Sequence, residues 1–161
     1  MSPYAPFEDD APQLLYFARS QTGALKIGLS VEPPARMISL RYEATEPVEL
    51  IWSSPPSWGH CFGIERRVHT VLFEHRIAGE WFDVSPYQAL LAARSVRNDF
   101  VAGNLTGDWS LGPMVRGPGP GNPAPRPPVR VRLAAWIKAR KALLSPPEPY
   151  GGGKWLDGLP I

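Results

Sequence analysis

Two short apolar runs stand out early in the chain, Leu14-Leu15-Tyr16-Phe17-Ala18 and Ala24-Leu25-Lys26-Ile27-Gly28-Leu29-Ser30. Both are rich in strand formers, and the few residues between them include Gly23. This pattern predicts a β-hairpin with strands near residues 14–19 and 24–30. Pro33-Pro34 suits a first helical turn, so a helix is expected from residue 33 to about 42, with Ile38 and Leu40 among its apolar residues. Val48-Glu49-Leu50-Ile51-Trp52 predicts a third strand, ended by Pro55-Pro56. Over residues 58–75, Ile64, Val68, Val71 and Leu72 recur at steps of three and four, which predicts a helix with one apolar face. Gly79 reads as its stop. Residues 80–84 predict a short extended piece whose Trp81 and Phe82 pack in the core. Ser85 is a suitable N-cap for a helix over residues 86–101, where Ala89, Leu90, Ala93 and Val96 form a stripe.

The pattern changes near residue 103. Glycine and proline fill half of residues 103–128. Such a stretch buries too little apolar surface to offset its ordering entropy, and it predicts a linker. Residues 129–144 predict a basic amphipathic helix, with Arg130, Arg132, Lys138, Arg140 and Lys141 among Val131, Leu133, Trp136, Ile137 and Leu143. The expected organisation is a leader (residues 1–12), a domain (13–102), the linker (103–128), then the basic helix and a flexible tail (129–161).

The chain has 161 residues, enough for one domain with a sizeable core. No apolar run is long enough to span a bilayer. The acidic start, Glu8-Asp9-Asp10, lacks the basic opening of a secretory signal. Cys61 is the only cysteine, so no intrachain disulfide forms and a cytoplasmic setting fits. Net charge is +2 but divides unevenly, −4 over residues 1–108 and +6 over residues 109–161. A basic segment joined to a mildly acidic domain points to an anionic partner, DNA first, with no membrane partner expected.

Four dispersed side chains are of the types that phosphodiester cleavage needs. Charge gathers on phosphorus in the transition state and requires a fixed cation, usually helped by a divalent metal. Arg36 offers a planar fork matched to phosphate oxygens. Glu65 is a candidate ligand for Mg²⁺ or Mn²⁺, since one carboxylate suffices when phosphate and water oxygens complete the shell. His69 falls one turn after Glu65 on the same side. Tyr16 is a candidate base or water-positioner, provided that a cation such as Lys26 on the paired strand lowers its pKa. Each residue also has a plain structural reading: a surface Glu-His pair, a solvated arginine, a strand tyrosine, an edge-strand lysine.

Taken in order, these residues resemble the GIY-YIG nuclease superfamily, in its branch with a Lys-Ile-Gly second motif. Leu15-Tyr16-Phe17 stands at the first motif and Lys26-Ile27-Gly28 at the second. Arg36 follows at the expected distance, Glu65-Arg66-Arg67-Val68-His69 resembles the glutamate helix, and Gly79-Glu80-Trp81-Phe82 the closing motif. The resemblance implies an α/β fold, with a small three-stranded, mostly antiparallel sheet flanked by helices. It also implies a metal-dependent DNA endonuclease. Tyr16 would then assist the attacking water, Arg36 steady the phosphate and Glu65 bind Mg²⁺, with Lys26 and His69 beside them. Arg36 with Arg130, Arg132, Lys138, Arg140 and Lys141 would contact DNA. Lys26 replaces the family's second tyrosine, and its late asparagine has no counterpart here. A DNA-binding module without catalysis and a protein-interaction factor are the alternatives.

Overall fold

The computed structural model describes residues 12–59, 61–103 and 126–144. The leader, most of the linker and the tail expected from the sequence lie outside the described residues. Among the described residues, five strands and four α-helices follow in the order β1 (Leu14–Ser20), β2 (Leu25–Ser30), α1 (Pro33–Ala44), β3 (Val48–Ser53), α2 (Cys61–Val71), β4 (Arg76–Ala78), β5 (Trp81–Phe82), α3 (Pro86–Val101) and α4 (Val129–Leu144). The strands form one sheet in the order β3-β1-β2-β5-β4, paired antiparallel throughout.

Strand alternation divides the core between the two sheet faces. Leu15, Phe17, Leu25, Ile27 and Phe82 face one side, where they pack with Ile64 and Val68 of α2 and with Ala89, Ala93 and Val96 of α3. Tyr16, Ala18 and Trp81 face the other, where Met37, Leu40 and Ala44 of α1 meet Leu133 and Ile137 of α4. The result is an α/β sandwich with a helix pair on each face. Among the described residues no helix is long and apolar enough to cross a membrane.

Several expectations need correction. The sheet has five strands rather than three, because β4 and β5 form a second small hairpin against β2. The helix expected over residues 58–75 is only α2. It is preceded by a 3₁₀ turn at Pro56–Trp58 and by Gly59 at φ 52°, and a second 3₁₀ turn, Phe73–His75, follows it. The apolar stripe runs out there, since Val71 is exposed and only Leu72 reaches the core. Gly79 therefore ends no helix. It is the first residue of the β4–β5 connection, left-handed at φ 54°, and a Cβ there would lie 3.0 Å from Val129 of α4. In α1 the buried stripe is Met37, Leu40 and Ala44, while Ile38 is exposed. Helix α4 is docked on the domain. Leu133 and Ile137, four apart, are buried against α1 and β4, and Lys141 reaches Glu46 at 3.5 Å.

The shortness of β5 shapes the rest of the molecule. It pairs with Leu25 and Lys26 of β2, and the last ladder bond runs from the Ile27 N–H to the Glu80 carbonyl at 3.0 Å. Beyond Ile27, no strand among the described residues pairs with the outer side of β2.

Candidate functional site

The chemistry-bearing residues are distributed around β2, on both faces of the sheet. Tyr16 sits opposite Gly28 in the β1–β2 register and projects across it. A Cβ at residue 28 would lie 2.8 Å from the Tyr16 hydroxyl, so only glycine leaves that oxygen its place. Arg36, exposed on the first turn of α1, lies near enough to the Tyr16 hydroxyl to favour its ionised form. Burial nevertheless pushes the Tyr16 phenol up to about 12, against the opposing pull of Arg36. A phenol that high is almost wholly protonated at neutral pH, which rules it out as the resting-state base and suits it to donating or orienting.

Lys26 corrects a second expectation. It is no exposed edge-strand lysine, because β2 lies inside the sheet and Lys26 is 5 % exposed. Nor is it the cation beside Tyr16, a place that Arg36 takes. Its ammonium contacts Glu80 at 2.9 Å and Glu43 at 3.6 Å, and it lies 5.7 Å from the Trp81 ring centre. Glu43 also accepts a 2.8 Å bond from the Trp81 indole N–H. The β4–β5 hairpin thus carries Glu80 to the lysine, and Trp81 locks Glu43 in place.

Glu65 and His69 reach the same edge on α2. Glu65 is 7 % exposed. Burial, and secondarily the nearby Glu80 carboxylate, push it up to about 7, while Lys26 opposes the rise. His69 Nε2 lies 2.9 Å from the Ile27 carbonyl and 3.9 Å from Glu65 Oε1. Burial lowers the His69 pKa, so the ring is neutral and Nε2–H donates to the carbonyl. The pair is therefore no ion pair. His69 caps a backbone acceptor that β5 is too short to reach, and its ring packs 5.1 Å from Phe82.

Helices α1 and α2 lie on opposite sheet faces, so Arg36 and Glu65 approach β2 from opposite sides. Lys26 and Glu80, within the electrostatic reach of Glu65, and Tyr16, within that of Glu80, link them around the edge. Glu43 is a member the sequence reading missed. Its signal was there, seven residues and two turns after Arg36 on the same helix face. Arg130, Arg132, Lys138, Arg140 and Lys141 stand on α4, whose first residue, Val129, packs against Gly79, the neighbour of Glu80. Lys141 pairs with Glu46, which also accepts from Thr22 at the opposite end of the β1–β2 hairpin from Gly28.

Glu65 makes stability depend on pH. In the folded state its carboxyl titrates near 7, above its ordinary 4.5, so the folded chain holds a proton that the unfolded chain releases. The contribution is fully present below pH 4.5 and is lost as pH rises through 7, an effect of about 3 kcal/mol. Urea denaturation in metal-free buffer is expected to show stability declining between pH 5 and 8, and Glu65→Gln is expected to flatten that decline.

A family model, that of the T5orf172 domain, matches residues 13–97, more than half of the chain. This family is distinct from the GIY-YIG nuclease superfamily, so the match overturns the assignment drawn from the motif resemblance. The T5orf172 domain is phage-associated, and membership fixes no catalytic activity. No curated protein and no solved structure matches the chain.

Proposed function

The chain belongs to the T5orf172 domain family, and from that premise we propose that it hydrolyses DNA phosphodiester bonds at the β2 edge with the help of a divalent metal. The observation that carries this reading is that one carboxylate, Glu80, lies within electrostatic reach both of a phenol backed by an arginine on one sheet face and of a buried carboxylate titrating near 7 on the other.

The Glu65 and Glu80 carboxylates repel one another, and Lys26 and Arg66 oppose that repulsion only in part. Glu65 is held partly protonated by burial and by Glu80, and a cation beside it would restore its charge. Among the described residues no cluster of three or more His, Cys, Asp or Glu is arranged for a metal. A single hard oxygen ligand still suits Mg²⁺ or Mn²⁺ when phosphate and water complete the shell. Held by Glu65, such an ion would offset the charge that develops on the phosphate oxygens. Arg36 would grip the non-bridging oxygens. Tyr16, protonated and fixed over Gly28, would orient the attacking water rather than deprotonate it. As the water oxygen bonds to phosphorus it releases a proton to solvent, the bond to the leaving sugar oxygen breaks, and that oxygen takes up a proton from solvent. His69 positions Glu65 and the β2 edge. Exposed cations of α4, Arg130 and Lys138 among them, would add sequence-independent phosphate contacts.

The test is nicking of supercoiled plasmid by the full chain. Nicking in Mg²⁺ or Mn²⁺ and none in EDTA is expected. A second reading, a DNA-binding module without catalysis, is favoured by the neutralisation of Lys26, whose ammonium is taken up by Glu43 and Glu80. Steeply salt-dependent binding with no nicking in either metal would establish it instead.

A further inference from the structure

Strand β3 forms the sheet edge farthest from β4. On its α2–α3 face, Trp52, Pro55, Trp58, Arg94, Arg97 and Asn98 line a cleft of about 280 Å³. The two tryptophans meet edge to face at 5.3 Å, and Trp52 is seated on Phe17 at 4.8 Å. The Arg97 guanidinium lies 5.2 Å from the Trp58 ring centre. Among the described residues, Arg97 Nε is the one buried side-chain nitrogen or oxygen without a hydrogen-bond partner. Such a donor is costly to leave unpaired. No acidic side chain lines the cleft. Two indoles, two guanidiniums and a carboxamide around a space too small for most ligands make poor core packing but a good seat for one flat, acceptor-rich ring beside a negative charge.

We propose that this cleft holds one unpaired nucleobase of a DNA strand, stacked on the tryptophan pair, with the adjoining phosphate or a base acceptor on Arg97 and Arg94. The inference rests on the proposed action on DNA and deepens it, since it makes the substrate class DNA with single-stranded character. The spacing is suitable. Tyr16 pairs with both Gly28 and Ser53, the neighbour of Trp52, so the cleft lies two strands from the β2 edge, roughly 10 Å across the sheet. One strand could occupy the cleft and the edge together.

The experiment is fluorescence anisotropy of the full chain in EDTA, with a labelled oligothymidylate and with a blunt duplex. Trp58→Ala and Arg97→Met are expected to weaken oligothymidylate binding by at least about tenfold, the scale of one lost base–aromatic stack. Duplex affinity should change less than about twofold, and Trp58→Phe, which keeps a stacking face, should retain most single-strand affinity. Equal losses on both DNAs, or none on either, would overturn the proposal. Plasmid nicking separates it from its premise. A parent that nicks while its single-strand binding ignores Trp58 sinks the cleft alone, and Trp58-dependent binding without nicking sinks the hydrolysis alone.

Discussion

Glu65→Gln is expected to abolish metal-dependent nicking while making the protein more stable at pH 8. The two effects share one cause. Glu65 is nearly buried at the rim of the core, and its carboxyl is held near pH 7 by desolvation and by Glu80. Above that pH the folded chain carries a charge in a place that disfavours it, and an isosteric amide removes the burden. Stability at pH 8 should rise by up to about 3 kcal/mol. Activity should move the other way. An amide is a weak ligand for a hard divalent cation, and the metal's share of transition-state stabilisation is several kcal/mol, so the rate should drop on the order of a thousandfold. A merely structural Glu65 would give a stability change with no loss of nicking. A variant both more stable and inactive is the signature of a residue kept for function at a cost in stability. Plasmid nicking and urea denaturation on the same preparations check both halves.

Much of the frame was legible in the sequence. The β1–β2 hairpin, α1 after Pro33-Pro34, β3 and the Ser85-capped α3 all lie near their expected bounds, since strong local signals mark them. The Ser85–Gln88 capping box shows why, with both reciprocal bonds formed. The failures came where tertiary contacts decide. Strand β4 holds three residues, too short for any two-residue period to register, and it exists because β5, which falls within the extended piece expected over residues 80–84, offers it a ladder. Helix α2 ends early for the related reason that its continuation had nothing apolar to pack against.

The site was legible residue by residue but not as a geometry. Tyr16, Lys26, Arg36, Glu65 and His69 could be picked out by type and spacing. Their relations could not. Lys26 was assigned to Tyr16 and instead belongs to Glu43 and Glu80. His69 does lie on the same side as Glu65, 3.9 Å away, but its hydrogen bond goes to the Ile27 carbonyl. Both relations depend on one structural fact, the length of β5, which decides whether β2 is an edge or an inner strand and where its ladder stops. Motif order also misled at the level of family, because five short motifs constrain a sequence less than a match across residues 13–97 does.

Arg36→Ala is expected to slow nicking about 10²–10³-fold, the cost of removing a preorganised donor from a developing oxyanion. The substitution is clean. Arg36 is exposed, and its partners, Tyr16 and Ser39, each have other support: Tyr16 lies in the core, and Ser39 bonds the Arg36 carbonyl at 2.9 Å. Stability should therefore change by no more than about 0.5 kcal/mol. Arg36→Lys should recover only part of the rate, because an ammonium keeps the charge and loses the fork. If the arginine acts in the transition state, kcat falls with KM nearly constant; if it only attracts DNA, KM rises and added salt mimics the mutation. The result also decides the placement question left by the fold. Arg36 and Glu65 come from opposite faces of the sheet, and one phosphate can engage both only by straddling β2 where Gly28 leaves the edge bare. A full-rate Arg36→Ala variant would remove the α1 face from the chemistry and leave the Glu65 side to act alone. A slow one would mean that the substrate crosses the edge, and that glycine opposite Tyr16 is what allows it to cross.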